Sequence, residues 1–260
     1  MIDIDSYAYS NNLKKVHPGE KSLFAALTMT VCLTAPTLIT PLIVLVLMAG
    51  AIILKAGIPA RIFLRLMLVP LSFLLLSVLT IAFSISSNPL GFWIAQTIHG
   101  LTIGIRYPDL ITAFQLFLRS LGAVSCLYFL ALTTPMTEII TVLHRLKVPS
   151  IITELMLLTY RFIFVLMETA FTIKRAQSSR LGYISLKISY RSLSRLFSAL
   201  LGKVFVKSQE LYNAMAARCY TGEIKVLTKK YPVSLRNYII IIGLELTLIL
   251  FNLYLRIPLL

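Results

Sequence analysis

The sequence predicts an all-α membrane protein, a polytopic helical bundle of about five transmembrane helices that also carries two long amphipathic cytoplasmic helices. Hydrophobic residues make up 58% of the 260 residues and charged residues 13%, whereas a soluble domain is about 45–50% apolar and about 25% charged. The formal net charge is nevertheless +15. Because charges are costly inside a bilayer, the basic residues must be grouped outside it.

Five apolar runs come close to the length of about 20 residues that a membrane span requires. The first two share residues 23–54 and are divided by a turn near Pro36 and Pro41. A polar segment, Ser87–Asp109, reads as a loop. The other predicted spans cover residues 62–86, 110–132 and 238–255.

Charge distribution divides the chain into four parts. Between residues 133 and 236 charges recur every few residues among apolar ones, as in helices that lie on a membrane surface. An excess of Lys and Arg marks cytoplasmic segments, so the N-terminus and this module are expected on the cytoplasmic side of the plasma membrane. The predicted parts are a cytoplasmic segment at residues 1–22, transmembrane helices 1–4 at 23–132, the cytoplasmic module at 133–236 and the last transmembrane helix at 237–260.

Two long amphipathic helices are predicted within this module. The first lies between Pro149 and Gly182, a stretch without internal Gly or Pro. Its charged residues repeat every seven positions and form a stripe, Glu154, Arg161, Glu168 and Arg175. Both helices end in clusters of Ala, a small residue and Arg. Small residues admit a close partner backbone and Arg offers five donors, so these ends can bind a protein partner. The composition alone favours the other interpretation, in which the basic residues contact anionic lipid.

Two charged residues fall near the centres of predicted spans, Arg119 in the fourth and Glu245 in the fifth. Intramembrane ions are expensive and usually pair. We therefore predict a structural Arg119–Glu245 pair, with a role in a transport pathway as the alternative.

The sequence does not favour an enzyme. No Walker A sequence occurs, so ATP hydrolysis must belong to a partner. The three His residues are far apart and have no metalloprotease spacing. Neither a catalytic residue, a cofactor site nor a resident metal is predicted.

Three segments carry a family resemblance: IDIDSYAYSNNLKKVHPGEK, ELMLLTYRFIFVLMETAFTIKRAQSSRLGY and ELYNAMAARCYTGE. In this order they resemble the T component of energy-coupling factor (ECF) ABC transporters, and the opening segment resembles the cobalt-type subunit, CbiQ. The resemblance implies a membrane scaffold whose two long helices act as coupling helices. Their ends would dock on two ABC ATPase subunits, and a substrate-binding membrane subunit would pack on the scaffold.

The resemblance also implies residue roles and a cargo. The implied docking residues are Ala176, Gln177, Ser178 and Arg180 at the first helix end and Ala217, Arg218 and Cys219 at the second; the charged stripe would position the coupling helices. Two positions depart from the family motif, which is usually Ala-Arg followed by a small residue, often Gly in the second copy: this chain has Gln177 and Cys219. Arg175 or Arg180 is a candidate to replace the missing arginine of the first site. ATP, Mg and the transported divalent cation would be held by partner subunits, and no nucleic-acid partner is implied. Cobalt uptake is the implied role; nickel uptake by the same mechanism and a stand-alone permease or channel are the alternatives.

Overall fold

The structure, a computed structural model, describes residues 4–86, 94–98, 101–105, 107–220, 231–232 and 234–256. The all-α fold class is confirmed, because α-helices form nearly all of the regular structure in these ranges. They are α1 Ile4–Ser10, α2 Pro18–Thr34, α3 Ile39–Gly50, α4 Ala60–Ala82, α5 Tyr107–Thr133, α6 Met136–Arg145, α7 Ser150–Ser179, α8 Leu186–Ala216 and α9 Leu235–Arg256.

The chain forms two compact units. The scaffold unit comprises Met1–Ile139 and Lys230–Leu260, and the hairpin unit comprises Ile140–Lys229. This division falls close to the boundaries at residues 133 and 236 that the charge distribution predicts. Residues 221–230 of the predicted cytoplasmic module lie outside the described residues.

Four of the described helices are long and apolar enough to cross a membrane: Ala60–Ile81, Pro108–Thr133, Ser150–Ser179 and Leu235–Tyr254. Three of them coincide with predicted spans. The predicted first two spans are α2 and α3, which are shorter, although α3 continues as a π-helical turn, Ala51–Lys55. The remaining long helix is α7, which the charge pattern assigns to the membrane surface. It meets the criteria because its charges are spaced widely enough to leave a predominantly apolar window.

The scaffold unit packs around α5, which contacts α2, α3 and α4. Its core includes Val44, Met48, Ile52 and Leu132, all fully buried. Gly122 permits the close approach of α5, since a Cβ there would lie 2.6 Å from the Cys32 sulfur. A small residue at a helix crossing lets the backbones approach and fixes the packing of α5 on the α2–α3 pair.

The break between α2 and α3 is held by α5. Pro36 interrupts the helix and leaves carbonyl groups without helical partners. The Arg119 guanidinium donates to the Ala35 carbonyl, and the Gln115 amide donates to the Pro36 carbonyl. Polar side chains of α5 thus supply, inside an apolar bundle, the donors that satisfy this turn.

Three short strands lie between α4 and α5: the first falls at the end of the predicted third span, and the other two fall in the segment predicted as a loop. They are β1 Phe83–Ser86, β2 Ile94–Ile98 and β3 Leu101–Ile105, and they form an antiparallel sheet in the order β1-β3-β2. Phe83 pairs with Ile105 in one ladder, and Ile98 pairs with Leu101 in the other. Ile and Thr are frequent in these strands, and β-branched residues favour extended backbone.

In the hairpin unit, α7 and α8 run antiparallel. Near one end the Gln177 amide donates to the Ser192 carbonyl over 2.9 Å. At the other end the Tyr220 hydroxyl donates to the Glu154 carboxylate over 2.7 Å. Because these contacts join the end of one helix to the start of the other, the tips of α7 and α8 lie at opposite ends of the hairpin.

Candidate functional site

The C-terminal end of α7 closes with a Schellman motif. The Gly182 amide donates to the Gln177 carbonyl over 2.9 Å, and the Leu181 amide donates to the Ser178 carbonyl over 3.0 Å. Leu181 has φ +56°, the left-handed conformation that such a stop requires. Arg180 is the C-cap residue immediately before it.

The end of α8 closes in the same way. The Tyr220 amide donates to the Met215 carbonyl over 3.1 Å, and the Cys219 amide donates to the Ala216 carbonyl over 3.0 Å. Cys219 also has φ +56°. A tight helix stop is therefore present at Cys219, although this conformation is strained for any residue other than Gly.

Superimposing the two stops by their hydrogen bonds sets the register between them. Arg180 takes the position of Arg218, and Leu181 takes the position of Cys219. The sequence motif had instead matched Gln177 with Arg218. The two stops thus favour Arg180 as the arginine of the first helix end.

Gln177 has a different role in the hairpin. It is half-buried, its amide nitrogen donates to the Ser192 carbonyl, and its side-chain oxygen accepts a hydrogen bond from the Tyr183 hydroxyl over 2.7 Å. Ser192 in turn donates to the Gly182 carbonyl over 2.7 Å. The Gln177 side chain therefore stabilises the turn between the helices through one donated and one accepted hydrogen bond. An arginine has no acceptor and could not make both bonds.

The other predicted docking residues lie on the exposed surface of the two helix ends. They are Ala176, Ser178 and Arg180 on α7, and Ala217, Arg218 and Cys219 on α8. From Glu154 to Arg180 is 26 residues, which is about 39 Å of α-helix. Since the hairpin is antiparallel, the two arginines are separated by approximately that length.

The four residues of the predicted charged stripe have different surroundings. Glu154 is half-buried and accepts the hydrogen bond from Tyr220, which ties the residue after the α8 stop to α7. Arg161 lines a groove of about 290 Å³ between α7 and α8, together with the ion pair Lys207–Glu210. Glu168 and Arg175 are exposed. A positioning role is thus supported by a contact for Glu154 and stays a prediction for the other three residues.

The predicted ion pair between Arg119 and Glu245 is wrong. Arg119 instead donates to the Ala35 carbonyl. Glu245 is 4% exposed and accepts a hydrogen bond from the Thr28 hydroxyl. The ion pairs among the described residues are Lys21–Glu138 and Lys207–Glu210. The broken α2–α3 connection supplies an acceptor for the guanidinium, so Arg119 stabilises a turn rather than a carboxylate.

Sequence reasoning missed a second buried polar group, at the N-terminal end of α2. Glu20 is 1% exposed and Lys21 is 3% exposed, although they stand in the first turns of a helix next to Pro18. Burial lowers the pKa of Lys21, while the nearby Glu138 carboxylate acts in the opposite direction. The available signal was positional, because a Lys in the first turns of a helix opposes the helix dipole and needs a partner elsewhere.

Comparisons with known proteins identify the family. Residues 10–229 match the family model CbiQ, described as cobalt transport protein. The chain is 35% identical over 224 residues to an uncharacterised protein of Methanocaldococcus jannaschii, covering 86% of this chain and 82% of that protein. It is 33% identical over 223 residues to the cobalt transport protein CbiQ of Salmonella typhimurium, covering 86% of this chain and 99% of the relative.

A third relative is longer than this chain. It is the putative fused cobalt transport protein CbiMQ of Methanocorpusculum labreanum, 29% identical over 221 residues, which are 84% of this chain and 36% of that protein. The family match and the membrane-spanning helices together make the protein a membrane component of cobalt transport, and the chain belongs to the CbiQ family of cobalt transport proteins.

Proposed function

We propose that this protein is the energy-coupling scaffold of an ECF-type importer, in which two ABC ATPase subunits dock on the ends of α7 and α8. The observation that carries the proposal is the pair of matched helix ends. Each has an exposed arginine, Arg180 or Arg218, directly before a residue in the left-handed conformation. One repeated surface feature in one chain fits two copies, or two close relatives, of one partner.

The chemistry of each end suits a protein groove. An arginine at the C-terminal end of a helix lies where the helix dipole is negative, so its charge is stabilised while its guanidinium can bind carboxylates or carbonyls of a partner. Small residues beside it, Ala217 on α8 and Ser179 on α7, admit a close backbone. The separation of about 39 Å along an antiparallel hairpin leaves room for one ATPase at each end.

The charge of the hairpin unit supports a cytoplasmic location, where ATP is available. Its described helices carry many more basic than acidic side chains, in keeping with the positive-inside rule. Hydrolysis itself is assigned to the partners, because the chain has no Walker A sequence.

A substrate-binding membrane subunit is the third proposed partner. The name of the fused relative from Methanocorpusculum labreanum joins two designations, CbiM and CbiQ, and this chain matches only about a third of it. A fusion places the remainder of that protein permanently beside its CbiQ-like part. We assign binding of the cobalt ion to such a subunit, and coupling to this chain.

Co-purification tests the proposal. The tagged chain is extracted from its native membrane as wild type and as Arg218→Glu, Arg180→Glu and Lys203→Glu. The last variant is a control that reverses an exposed charge in the middle of α8, away from both docking ends. We expect the wild type and the control to retain ATPase subunits and ATP hydrolysis, and each of the first two variants to lose them while membrane insertion is normal. Unchanged ATPase recovery in both variants would refute docking at these ends.

A further inference from the structure

The chain passes between the two units at Ile139–Ile140 and again at Lys229–Lys230. The described scaffold-side ends of these two connections are residues 133–139 on the outgoing side and residues 231–232 and 234–237 on the returning side. Both connections are held by the first turns of α2 at buried charged residues. Charged side chains are almost never fully buried unless they are paired. Adjacent charges that are almost fully buried therefore point to a specific structural task.

The outgoing connection is fixed by Lys21. Its ammonium group donates to the carbonyl of Thr133, the last residue of α5, over 2.8 Å. The same nitrogen lies 3.8 Å from the Glu138 carboxylate, in the first turn of α6. Asn11 adds weaker bonds of 3.3 Å to the carbonyls of Leu132 and Thr133. The end of α5 and the start of α6 are thus bound to one cation.

The returning connection is fixed by Glu20. One carboxylate oxygen accepts a hydrogen bond from the Ser234 amide over 3.0 Å, and the other accepts one from the Asn237 side chain over 2.8 Å. Ser234 immediately precedes α9, so Glu20 supplies from another helix the negative group that a helix N-terminus favours.

A direct bond ties the two connections to each other. The Tyr231 hydroxyl donates to the Glu138 carboxylate. Glu138 therefore binds a residue of the returning connection while it faces Lys21. The resulting chain of contacts runs from Thr133 through Lys21 and Glu138 to Tyr231.

We propose that Glu20, Lys21, Glu138 and Tyr231 form a clamp that fixes the scaffold-side ends of both connections on α2, so that movement arriving along either connection is passed to the scaffold helices. The contacts of the clamp lie within this chain, whereas the role of the clamp in transmitting movement rests on the proposed coupling function. If these scaffold-side ends were loose, movement that begins in α7 and α8 would be lost before it reached α2, α5 and α9. The four residues are positioning residues, which act through the helices they hold.

Two variants and two matched controls test the clamp. Lys21→Met removes the buried cation and keeps much of the side-chain volume. Tyr231→Phe removes a single hydroxyl group and is the conservative variant in case Lys21→Met does not fold. The controls are Lys14→Met, at an exposed lysine, and Tyr254→Phe, at an exposed tyrosine of α9. All are made in the full chain, which is purified with its partners and reconstituted in lipid.

The first measurement is amide hydrogen exchange over residues 133–139 and 231–237. We expect about tenfold faster exchange in Tyr231→Phe than in Tyr254→Phe, because local opening no longer breaks the bond to Glu138. Exchange equal to that of the controls would show that the connections are held by other contacts and would overturn the clamp. This measurement does not depend on ATPase partners.

The second measurement is the ratio of cobalt uptake to ATP hydrolysis. Clamp variants should hydrolyse ATP but couple it to uptake with a ratio lowered roughly two- to thirtyfold, and the controls should match the wild type. Faster exchange with an unchanged ratio would overturn the transmission role. A wild-type preparation without ATPase subunits would instead refute the proposed function, which separates the two failures.

Discussion

Replacing a glycine of the hairpin by alanine should destabilise it at position 182, in the turn between α7 and α8, and stabilise it at position 202. An alanine at position 182 would place its Cβ 2.8 Å from the Gln177 carbonyl oxygen and 2.9 Å from the Ser192 hydroxyl. Both atoms are fixed by hydrogen bonds to Gly182 itself, so neither can move without loss. At position 202, in the middle of α8, a Cβ meets nothing within 4 Å.

The magnitudes follow from these surroundings. Forcing an extra methyl group into a tight site costs about 1–3 kcal/mol, and Gly→Ala recovers about 0.4–1 kcal/mol through the unfolded chain. Gly182→Ala should therefore destabilise the turn by about 1–2 kcal/mol. Gly202→Ala should stabilise α8 by about 0.5–1 kcal/mol, since it removes a flexible residue from a helix interior.

Amide hydrogen exchange of the purified chain measures both effects locally. In Gly182→Ala, amides of residues 177–186 should exchange about 5–30 times faster, because about 1.4 kcal/mol corresponds to a factor of ten. In Gly202→Ala, amides around position 202 should exchange more slowly than in the wild type. Exchange in Gly182→Ala that equals the wild-type rate would show that the turn accepts a Cβ, and the reasoning from the close approach would then be wrong.

Three further predictions concern other parts of the molecule. Cys219→Gly should stabilise the end of α8 by about 1 kcal/mol, seen as slower local exchange, because Gly adopts a positive φ without strain; faster exchange would contradict this. Burial, helped by the bond to Glu138, raises the pKa of Tyr231 from 10.0 to about 12. The stability that Tyr provides over Phe at this position should therefore be complete below pH 10 and be lost as the pH rises through about 12, measured as the difference in melting temperature between the wild type and Tyr231→Phe. A difference that persists at about pH 12 would contradict this. Arg119→Met should destabilise the scaffold unit by about 1–3 kcal/mol, because the Ala35 carbonyl loses its donor. In a background without Cys219, the buried thiols of Cys32 and Cys126 should then react with a thiol reagent at a lower temperature than in the wild type. An unchanged temperature would refute the capping role.

Much of the helical framework could be predicted from apolar run length alone. The predicted spans at 62–86, 110–132 and 238–255 overlap α4, α5 and α9, and Pro149 and Gly182 bracket α7. Run length is informative there because a helix that crosses lipid satisfies its own backbone groups. Run length was less informative for the strands: β1 was assigned to the end of the third span, and β2 and β3, which are rich in Ile and Thr, were assigned to a loop.

The partners of buried charges could not be predicted in the same way. Arg119 and Glu245 were paired on the grounds that two opposite charges in neighbouring spans should meet. The structure gives the guanidinium to a backbone carbonyl exposed by Pro36, an acceptor that a count of side-chain charges omits. Lys21 and Glu138 are 117 positions apart, and only the packing of α2 against the end of α5 brings them together.

The register of the two docking ends shows why backbone geometry decides what a motif comparison leaves open. Letters alone align Ala176, Gln177 and Ser178 with Ala217, Arg218 and Cys219, since each run begins with Ala and ends with a small residue. A docking surface, however, is defined by where a side chain stands relative to the point at which the helix stops. The left-handed residue marks that point in both helices, and the residue before it is an arginine in both. If ATPases bind these ends, Arg180→Glu should therefore reduce their recovery about as strongly as Arg218→Glu, whereas Gln177→Ala should act mainly through the stability of the turn. The alignment by letters would be correct if two results are found together. ATPase recovery with Arg180→Glu would equal that of the wild type, and Gln177→Ala would lose ATPase subunits without faster amide exchange at the turn.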